Sequence, residues 1–204
     1  MLRIEGQTLR GSGNKIVPFP IYPNLKVVSI ALLLESPDSP LIWRGPLKMK
    51  ALQQFLKDVK WGELDYLIVD LPPGTGDEPL SICQFIPEAD GGVVVTTPQD
   101  IALLDSRKCI SFLRALKIPV LGILENMTEF ICPHCGKKTE LFGSGGGEKA
   151  SREMKVPFLG KIPFEKRIVE STDEGRPFIA EYGQTETARV FKEIVSRIIK
   201  KIET

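Results

Sequence analysis

The 204-residue sequence lacks several features that would assign it to a particular class of protein. Its 27 basic and 26 acidic residues leave a net charge of +1, which gives no electrostatic basis for binding nucleic acid or an anionic membrane. It has no apolar run of about 18 residues, the length that a membrane span needs, and residues 1–20 contain no apolar core of a secretory signal. We therefore expect a cytoplasmic protein without a nucleic-acid or membrane partner.

Hydrophobic residues make up 42% of the chain, enough for the core of a single domain over residues 1–204. Apolar runs typical of strands alternate with segments of helical period. This order predicts an α/β fold, a mostly parallel sheet with helices on both faces. The first 24 residues, rich in glycine, proline and asparagine, are expected to be irregular. Strands are predicted at Lys26–Leu34, Tyr66–Asp70, Gly92–Thr96, Val120–Glu125 and Phe158–Ile162. Helices are predicted at Leu47–Val59, Leu80–Ile86, Ile101–Leu116, Glu148–Met154, Ile168–Ser171 and Glu186–Ile202.

The first chemical motif is DYLIVDLPPGTGD, residues 65–77. Its apolar run is typical of a strand buried on both faces and ends in the carboxylate of Asp70. Ligands of open α/β sheets bind at the carboxyl ends of strands, where such an acid can hold the Mg²⁺ of a nucleotide. Gly74 and Gly76 would let the backbone approach a phosphate closely. The alternative is an ordinary buried strand that ends in a turn.

The second motif is CPHCG, in which Cys132 and Cys135 are spaced to hold one metal ion or one face of a cluster. Pro133 and Gly136 favour a tight turn. A zinc ribbon would need a second ligand pair, a thioredoxin-type site would need a helix after the first cysteine, and a structural disulfide is disfavoured in the cytoplasm. The sequence GKKTELFG that follows is typical of a hairpin, so we expect a hairpin insert at about 130–142.

Two thiolates are half of the ligand set of tetrahedral zinc or of a [4Fe–4S] cluster. The other cysteines, Cys83 and Cys109, each lie alone in a helical pattern and are interpreted as core thiols. The sole histidine, His134, lies inside the turn and is expected to point away from a metal. A symmetric homodimer with the Cys132–Cys135 motif at its two-fold axis would complete the set.

Both motifs resemble parts of the Mrp/ApbC family of iron–sulfur cluster carriers, in the MinD-like branch of P-loop NTPases. Four stretches are similar to successive blocks of that family, in the same order, over about 25–178. They are PLIWRGPLKMKALQQFLKDVKWGELDYLIVDLPPGTGDEPLS, GGVVVTTPQDIALLDSRKCISFL, GILENMTEFICPHCGKKTELFGSGGGEKAS and VPFLGKIPFEKRIVESTDEGRPF. The resemblance implies a MinD-like fold. It also implies a [4Fe–4S] cluster that bridges two subunits through Cys132 and Cys135, and that passes from a cluster donor to apo iron–sulfur proteins.

The resemblance further implies an ATP site with Mg²⁺. Asp70 would act in catalysis, holding the metal ion or its water, while Thr75 and Asp77 would sense the γ-phosphate. Asn126 matches the position that reads the adenine, although a turn-forming asparagine at a strand end is the alternative. The implied nucleotide-binding residues are Pro73, Gly74, Thr75, Asp77, Asn126 and Pro163.

The chain departs from the family at the phosphate-binding loop. It has no Gly-x-x-x-x-Gly-Lys followed by Ser or Thr. The segments GSGNK at 11–15 and GSGGGEK at 143–149 are the nearest candidates, and in neither is the lysine followed by the Ser or Thr that binds Mg²⁺. We therefore expect a chain that is N-terminally truncated relative to the family, or a degenerate paralogue, with impaired or absent ATP binding. Whether it is an enzyme stays open.

Two functions follow from these observations. The first is an ATP-dependent iron–sulfur cluster carrier. The second is a non-hydrolysing scaffold that binds zinc or a cluster and has lost its nucleotide site. The C-terminal helix predicted at Glu186–Ile202 is amphipathic, and we interpret it as packed on the sheet, with association to a membrane surface as the alternative.

Overall fold

The computed structural model describes residues 2–4, 6–13, 15–34, 36, 39, 43, 45–132 and 135–204. The chain divides into two compact units, an N-terminal unit over Leu2–Phe85 and a C-terminal unit over Ile86–Thr204. Within the described residues, no helix combines the length and the apolar character that crossing a membrane requires.

The N-terminal unit begins with two antiparallel pairs of short strands. β1 (Arg10–Ser12) pairs with β2 (Lys15–Val17), and β3 (Phe19–Tyr22) pairs with β4 (Leu25–Val27). The prediction that the first 24 residues are irregular is therefore wrong. Gly13 adopts a φ of 62° in the turn between the first two strands, a conformation that glycine reaches without strain.

The strand predicted at Lys26–Leu34 is also wrong over most of its length. β4 ends at Val27, and a 3₁₀ helix occupies Ile30–Leu33. The reason is local, because the Oγ of Ser29 accepts a hydrogen bond from the backbone N–H of Ala31 at 3.2 Å. A serine that bonds to the backbone two residues on favours a turn over an extended strand.

Two helices pack against each other in the remainder of this unit, α1 (Gly45–Lys57) and α2 (Asp77–Phe85). They lie close to the predicted ranges. Ala51 of α1 and Ile82 of α2 are buried. Lys48 and Glu78 join the two helices through an ion pair of 2.6 Å.

The strand predicted at Tyr66–Asp70 does not form. The structure places this run in none of its sheets in the described part of the chain, and its apolar side chains are exposed, with Ile68 at 89%. A buried strand needs neighbours that pair with its backbone and cover its two faces. The structure supplies neither here, so the apolar run stays in contact with solvent.

The C-terminal unit contains the parallel sheet that the sequence predicts. Its strands are β5 (Gly92–Thr96), β6 (Val120–Glu125) and β9 (Phe158–Lys161), and β6 lies in the centre. α3 (Asp100–Ala115) connects β5 to β6, and α4 (Gly146–Met154) precedes β9. A helix between parallel strands is the usual crossover of such sheets.

Helices cover both faces of this sheet, as predicted. α4 covers the face that carries Thr96 and Glu125, since a Cβ on its Gly147 would lie 3.0 Å from the Glu125 carboxylate. α7 (Glu186–Ile202) covers the opposite face, where its Ile194 packs over Gly160 of β9. Leu159, Ile162 and Ile194 form the buried cluster between α7 and the sheet.

One part of the sheet remains uncovered. β5 lies at its edge, and on the face opposite α4 its Val93 and Val95 are exposed, Val95 at 58%. The remaining elements of this unit are a hairpin of β7 (Phe130–Ile131) and β8 (Lys138–Thr139), and the helices α5 (Lys166–Asp173) and α6 (Phe178–Glu181).

Candidate metal and nucleotide site

The candidate metal ligands lie at the end of the β7–β8 hairpin. The two strands pair through Phe130 with Thr139 and Ile131 with Lys138. The backbone N–H of Cys132 donates to the carbonyl of Lys137 at 3.0 Å, and that of Gly136 donates to the carbonyl of Cys132 at 2.8 Å. These bonds bring Gly136 and Lys137 back beside Cys132. Pro133 and His134, for which the sequence predicts roles in this turn, lie outside the described residues.

The hairpin follows the carboxyl end of β6, the central strand. It is hydrogen-bonded to the residues that follow β9. After β6, the N–H of Thr128 donates to the carbonyl of Ile162 at 3.1 Å, and the N–H of Phe164 donates to the carbonyl of Glu129 at 2.8 Å. The rings of Phe130 and Phe164 meet edge to face, 6.0 Å apart. These contacts connect the hairpin to the residues that follow β9, so its first strand is held by the sheet.

The two cysteines of the motif differ in exposure. Cys132 is half-buried, Cys135 is exposed, and neither forms a disulfide. Lys138, on the returning strand, makes an ion pair of 2.7 Å with Glu129. This hydrogen bond to Glu129 raises the pKa of the Lys138 ammonium. Lys138 thus ties the returning strand to the residue that precedes the first strand of the hairpin.

The two other cysteines are less suited to binding a metal. Cys83 lies in α2 and Cys109 in α3, and both are half-buried. Burial raises the pKa of the Cys83 thiol, which disfavours its thiolate. Within the described residues, no group of three or more Cys, His, Asp or Glu side chains gathers as a metal site.

The nucleotide-binding residues predicted from PPGTGD belong to the N-terminal unit. Asp70, Pro73, Gly74 and Thr75 are exposed and precede α2, which begins at Asp77. Gly74 has a φ of 95°, so the chain uses the conformational freedom of glycine at this position. Gly45, the first residue of α1, lies beside Asp77, since a Cβ on it would be 3.2 Å from the Asp77 carboxylate.

The other two predicted nucleotide residues, Asn126 and Pro163, lie in the C-terminal unit, just beyond the carboxyl ends of β6 and β9. The N–H of Ile162 donates to the carbonyl of Glu125 at 2.8 Å and brings these two segments together. The side-chain oxygen of Asn126 accepts from the N–H of Met127 at 2.9 Å. Met127 has a φ of 57°, so the chain bends directly after the strand. The Asn126 bond reaches the next residue, not the N–H two residues on that an asparagine-centred turn uses.

The structure also shows what the two glycine-rich segments do. Gly11 and Ser12 belong to β1 and Lys15 belongs to β2, two antiparallel strands, which is not the strand–loop–helix unit that holds phosphate. Residues 143–149 lead into α4, where backbone amides point towards the side chain of Glu125. The N–H of Gly145 donates to its Oε1 at 3.2 Å, and the N–H of Gly147 donates to its Oε2. These amides at the start of α4 therefore bind a carboxyl group of the same chain.

Glu125 is the residue that the sequence reasoning missed. It is 0% exposed, at the end of a strand that otherwise reads as apolar. The signal available in the sequence was an acid at the carboxyl end of a predicted strand, together with a later glycine cluster whose amides could bind it.

Comparison with known proteins assigns the chain to a family. The sequence model of the ParA family, described as NUBPL iron-transfer P-loop NTPase, matches residues 1–199. Two relatives carry the name iron–sulfur cluster carrier protein. The one from Methanocaldococcus jannaschii is 45% identical over 203 residues, which cover 100% of this chain and 69% of the relative. The one from Saccharolobus solfataricus is 44% identical over 204 residues, with coverage of 100% and 69%.

Solved structures agree in fold. A nucleotide-binding protein from Archaeoglobus fulgidus, in complex with ADP, is 36% identical, with a TM-score of 0.70, and the match covers 88% of this chain and 68% of that one. The cell division ATPase MinD of Pyrococcus furiosus has a TM-score of 0.56 at 24% identity, over 76% of this chain and 58% of its own, and supports the fold. The protein belongs to the family of NUBPL-type iron-transfer P-loop NTPases, with a MinD-like fold.

Proposed function

We propose that this protein is an iron–sulfur cluster carrier that holds a [4Fe–4S] cluster between two copies of the chain through Cys132 and Cys135. The observation that carries the proposal is the position of this pair at the end of an anchored hairpin, with Cys135 exposed and neither cysteine in a disulfide. The names of the two curated relatives support the same function.

The stoichiometry of the ligands supports a homodimer. A [4Fe–4S] cluster takes four thiolates, and this motif supplies two. A two-fold axis brings the same surface of two copies face to face, so the pair is doubled without another motif. A cluster held by two residues of each chain at an exposed turn is accessible to an apo iron–sulfur protein, and we propose a cluster donor and such apo proteins as partners. Reduced thiols of this kind fit a cytoplasmic location.

Nucleotide binding is proposed to be weak in this chain. Asp70 and the PPGTGD segment, with Pro73, Gly74, Thr75 and Asp77, provide carboxylates and a hydroxyl for Mg²⁺ and phosphate. Asn126 and Pro163 would border the base. The sequence contains no lysine-bearing phosphate loop, and each charge-assisted hydrogen bond from such a loop is worth about 1.5–3 kcal/mol. Two such bonds correspond to about two to four decades in affinity.

The cluster assignment is tested by anaerobic reconstitution followed by iron and sulfide analysis. We expect about one cluster for two chains. Cys132→Ala or Cys135→Ala should abolish it, while Cys109→Ala, a matched change of a half-buried thiol, should not. Full iron content in Cys132→Ala would refute the assignment. Zinc bound in place of iron under these conditions would favour the metal-binding scaffold instead.

The nucleotide proposal is tested by measuring phosphate release and equilibrium binding of ATP in the presence of Mg²⁺. We expect no hydrolysis above background and at most weak binding. Hydrolysis that is lost in Asp70→Ala would contradict the proposal, since it would show that the phosphates are held without a loop in this sequence.

A further inference from the structure

The carboxylate of Glu125 closes the glycine loop that follows the hairpin. It receives N–H groups of Gly145 and Gly147, at the first turn of the nine-residue α4. The exposed amides at the start of a helix carry a partial positive charge and favour an anion. A buried charge is costly unless it is paired or hydrogen-bonded in this way. The loop amides therefore bind a side chain of the same chain.

Side-chain sterics show that the loop is shaped for this contact. A Cβ on Gly147 would lie 3.0 Å from Oε2 of Glu125 and 3.3 Å from Cγ2 of Thr96. A Cβ on Gly146 would overlap the backbone carbonyl of Pro98. Side chains at these two positions would force α4 away from the sheet and from the carboxylate.

The loop also lies directly after the returning strand of the hairpin. After β8, Leu141 bridges to Gly143, and Gly145 caps α4 with a φ of 73°. The first strand of the hairpin is held at Thr128 and Phe130, as described above. The carboxyl end of β6 thus leads directly into the first strand of the hairpin, and the side chain of Glu125 binds the loop that follows the second strand.

We infer that Glu125 is a positioning residue for the metal-binding hairpin, whose carboxylate, held by the amides of Gly145 and Gly147, fixes the returning strand and with it Cys132 and Cys135. The ligand role of the cysteines rests on the function proposed above. The positioning itself is a property of the metal-free chain and can be measured without a cluster.

The test is Glu125→Ala in metal-free protein. We expect the Gly145 and Gly147 amides to exchange about 10- to 100-fold faster with solvent, as loss of charge-assisted bonds implies. Alkylation of the half-buried Cys132 by iodoacetamide should also accelerate. Acetate, which replaces the deleted carboxylate and its methylene, should restore both rates in Glu125→Ala and have no effect on the native protein. Glu125→Gln keeps one acceptor oxygen and should give intermediate rates.

The matched control is Glu148→Ala. Glu148 lies in the first turn of the same helix, but its carboxylate pairs with Arg152 at 3.2 Å and Lys161 at 3.4 Å, not with the loop amides. It should leave both rates unchanged. Unchanged rates in Glu125→Ala, or a uniform loss of protection over β5 and β6 without recovery in acetate, would overturn the inference. Failure of native protein to bind a cluster would refute the proposed function and leave this test intact.

Discussion

Lys48 and Glu78 show how a single pair of residues links two helices of the N-terminal unit. Their ion pair measures 2.6 Å, and the side chains of Lys48 and Glu78 are 34% and 25% exposed. The hydrogen bond from Lys48 lowers the pKa of the Glu78 carboxyl. A carboxyl with a lower pKa in the folded state stabilises the fold above its unfolded pKa, and this contribution is lost as the pH falls through the folded pKa.

We therefore predict that Lys48→Met lowers the free energy of unfolding by about 1 kcal/mol or less at neutral pH. The difference from the native protein should vanish when Glu78 is protonated in both, below the lowered pKa. Urea midpoints measured over a pH series check this. Lys50→Met, which removes a neighbouring exposed lysine of α1, is the control. A difference that persists unchanged at acid pH would show that packing, not the ion pair, is responsible.

At the level of residues, the sequence indicated candidate ligands more readily than contacts between residues that are distant along the chain. The Cys132–Cys135 motif was recognised from the spacing of its two cysteines. Glu125 was missed because its burial depends on amides that lie about twenty residues away in sequence. The hydrogen bond that the Asn126 side chain accepts from the N–H of Met127 is local. A local role for this asparagine was the alternative that the sequence left open beside adenine recognition.

At the level of elements, each predicted helix forms with ends close to those predicted, although α6 was not predicted. The predicted strands form only where a neighbouring strand exists. α3 and α7 carry their apolar pattern within themselves, because helical hydrogen bonds are internal to the segment. β5 and β6 pair with each other and match their predicted ranges. Tyr66–Asp70 has an equally apolar sequence but joins no sheet in the part of the chain that the structure describes. A strand depends on partners that its own residues do not specify.

The start of α7 offers a test of a single helix. The Oγ1 of Thr185 accepts from the N–H of Ala188 at 3.2 Å and caps the helix. Thr185→Ala should destabilise the protein by about 1 kcal/mol, since an N-cap hydroxyl satisfies an amide that has no partner inside the helix. Denaturant unfolding followed by circular dichroism measures this change.

The control for Thr185→Ala is Ser196→Ala. Ser196 lies on the exposed side of the same helix, with its hydroxyl bonded to the carbonyl of Lys192 at 2.9 Å. Its removal should change stability by a few tenths of a kcal/mol at most. Equal effects of the two changes would mean that the cap contributes nothing specific.

At the level of the whole molecule, the proposed function links assembly to cluster content. If four thiolates from two chains hold the cluster, as proposed above, cluster-loaded protein should sediment as a dimer, and metal-free protein should shift towards monomer on dilution. Analytical ultracentrifugation at matched concentrations provides the measurement, and Cys132→Ala is the control that should behave as metal-free protein. A monomer with a complete cluster would show that other groups supply the missing ligands.

The division into two units places both tryptophans of the sequence, Trp43 and Trp61, in the N-terminal unit. The indole N–H of Trp61 donates to the carbonyl of Phe55 at 2.9 Å, next to α1. Tryptophan fluorescence therefore reports on the N-terminal unit. The visible absorption of a metal bound at Cys132 and Cys135 would report on the C-terminal unit. A single denaturant titration that records both signals distinguishes loss of the metal site from unfolding around α1, without any added label.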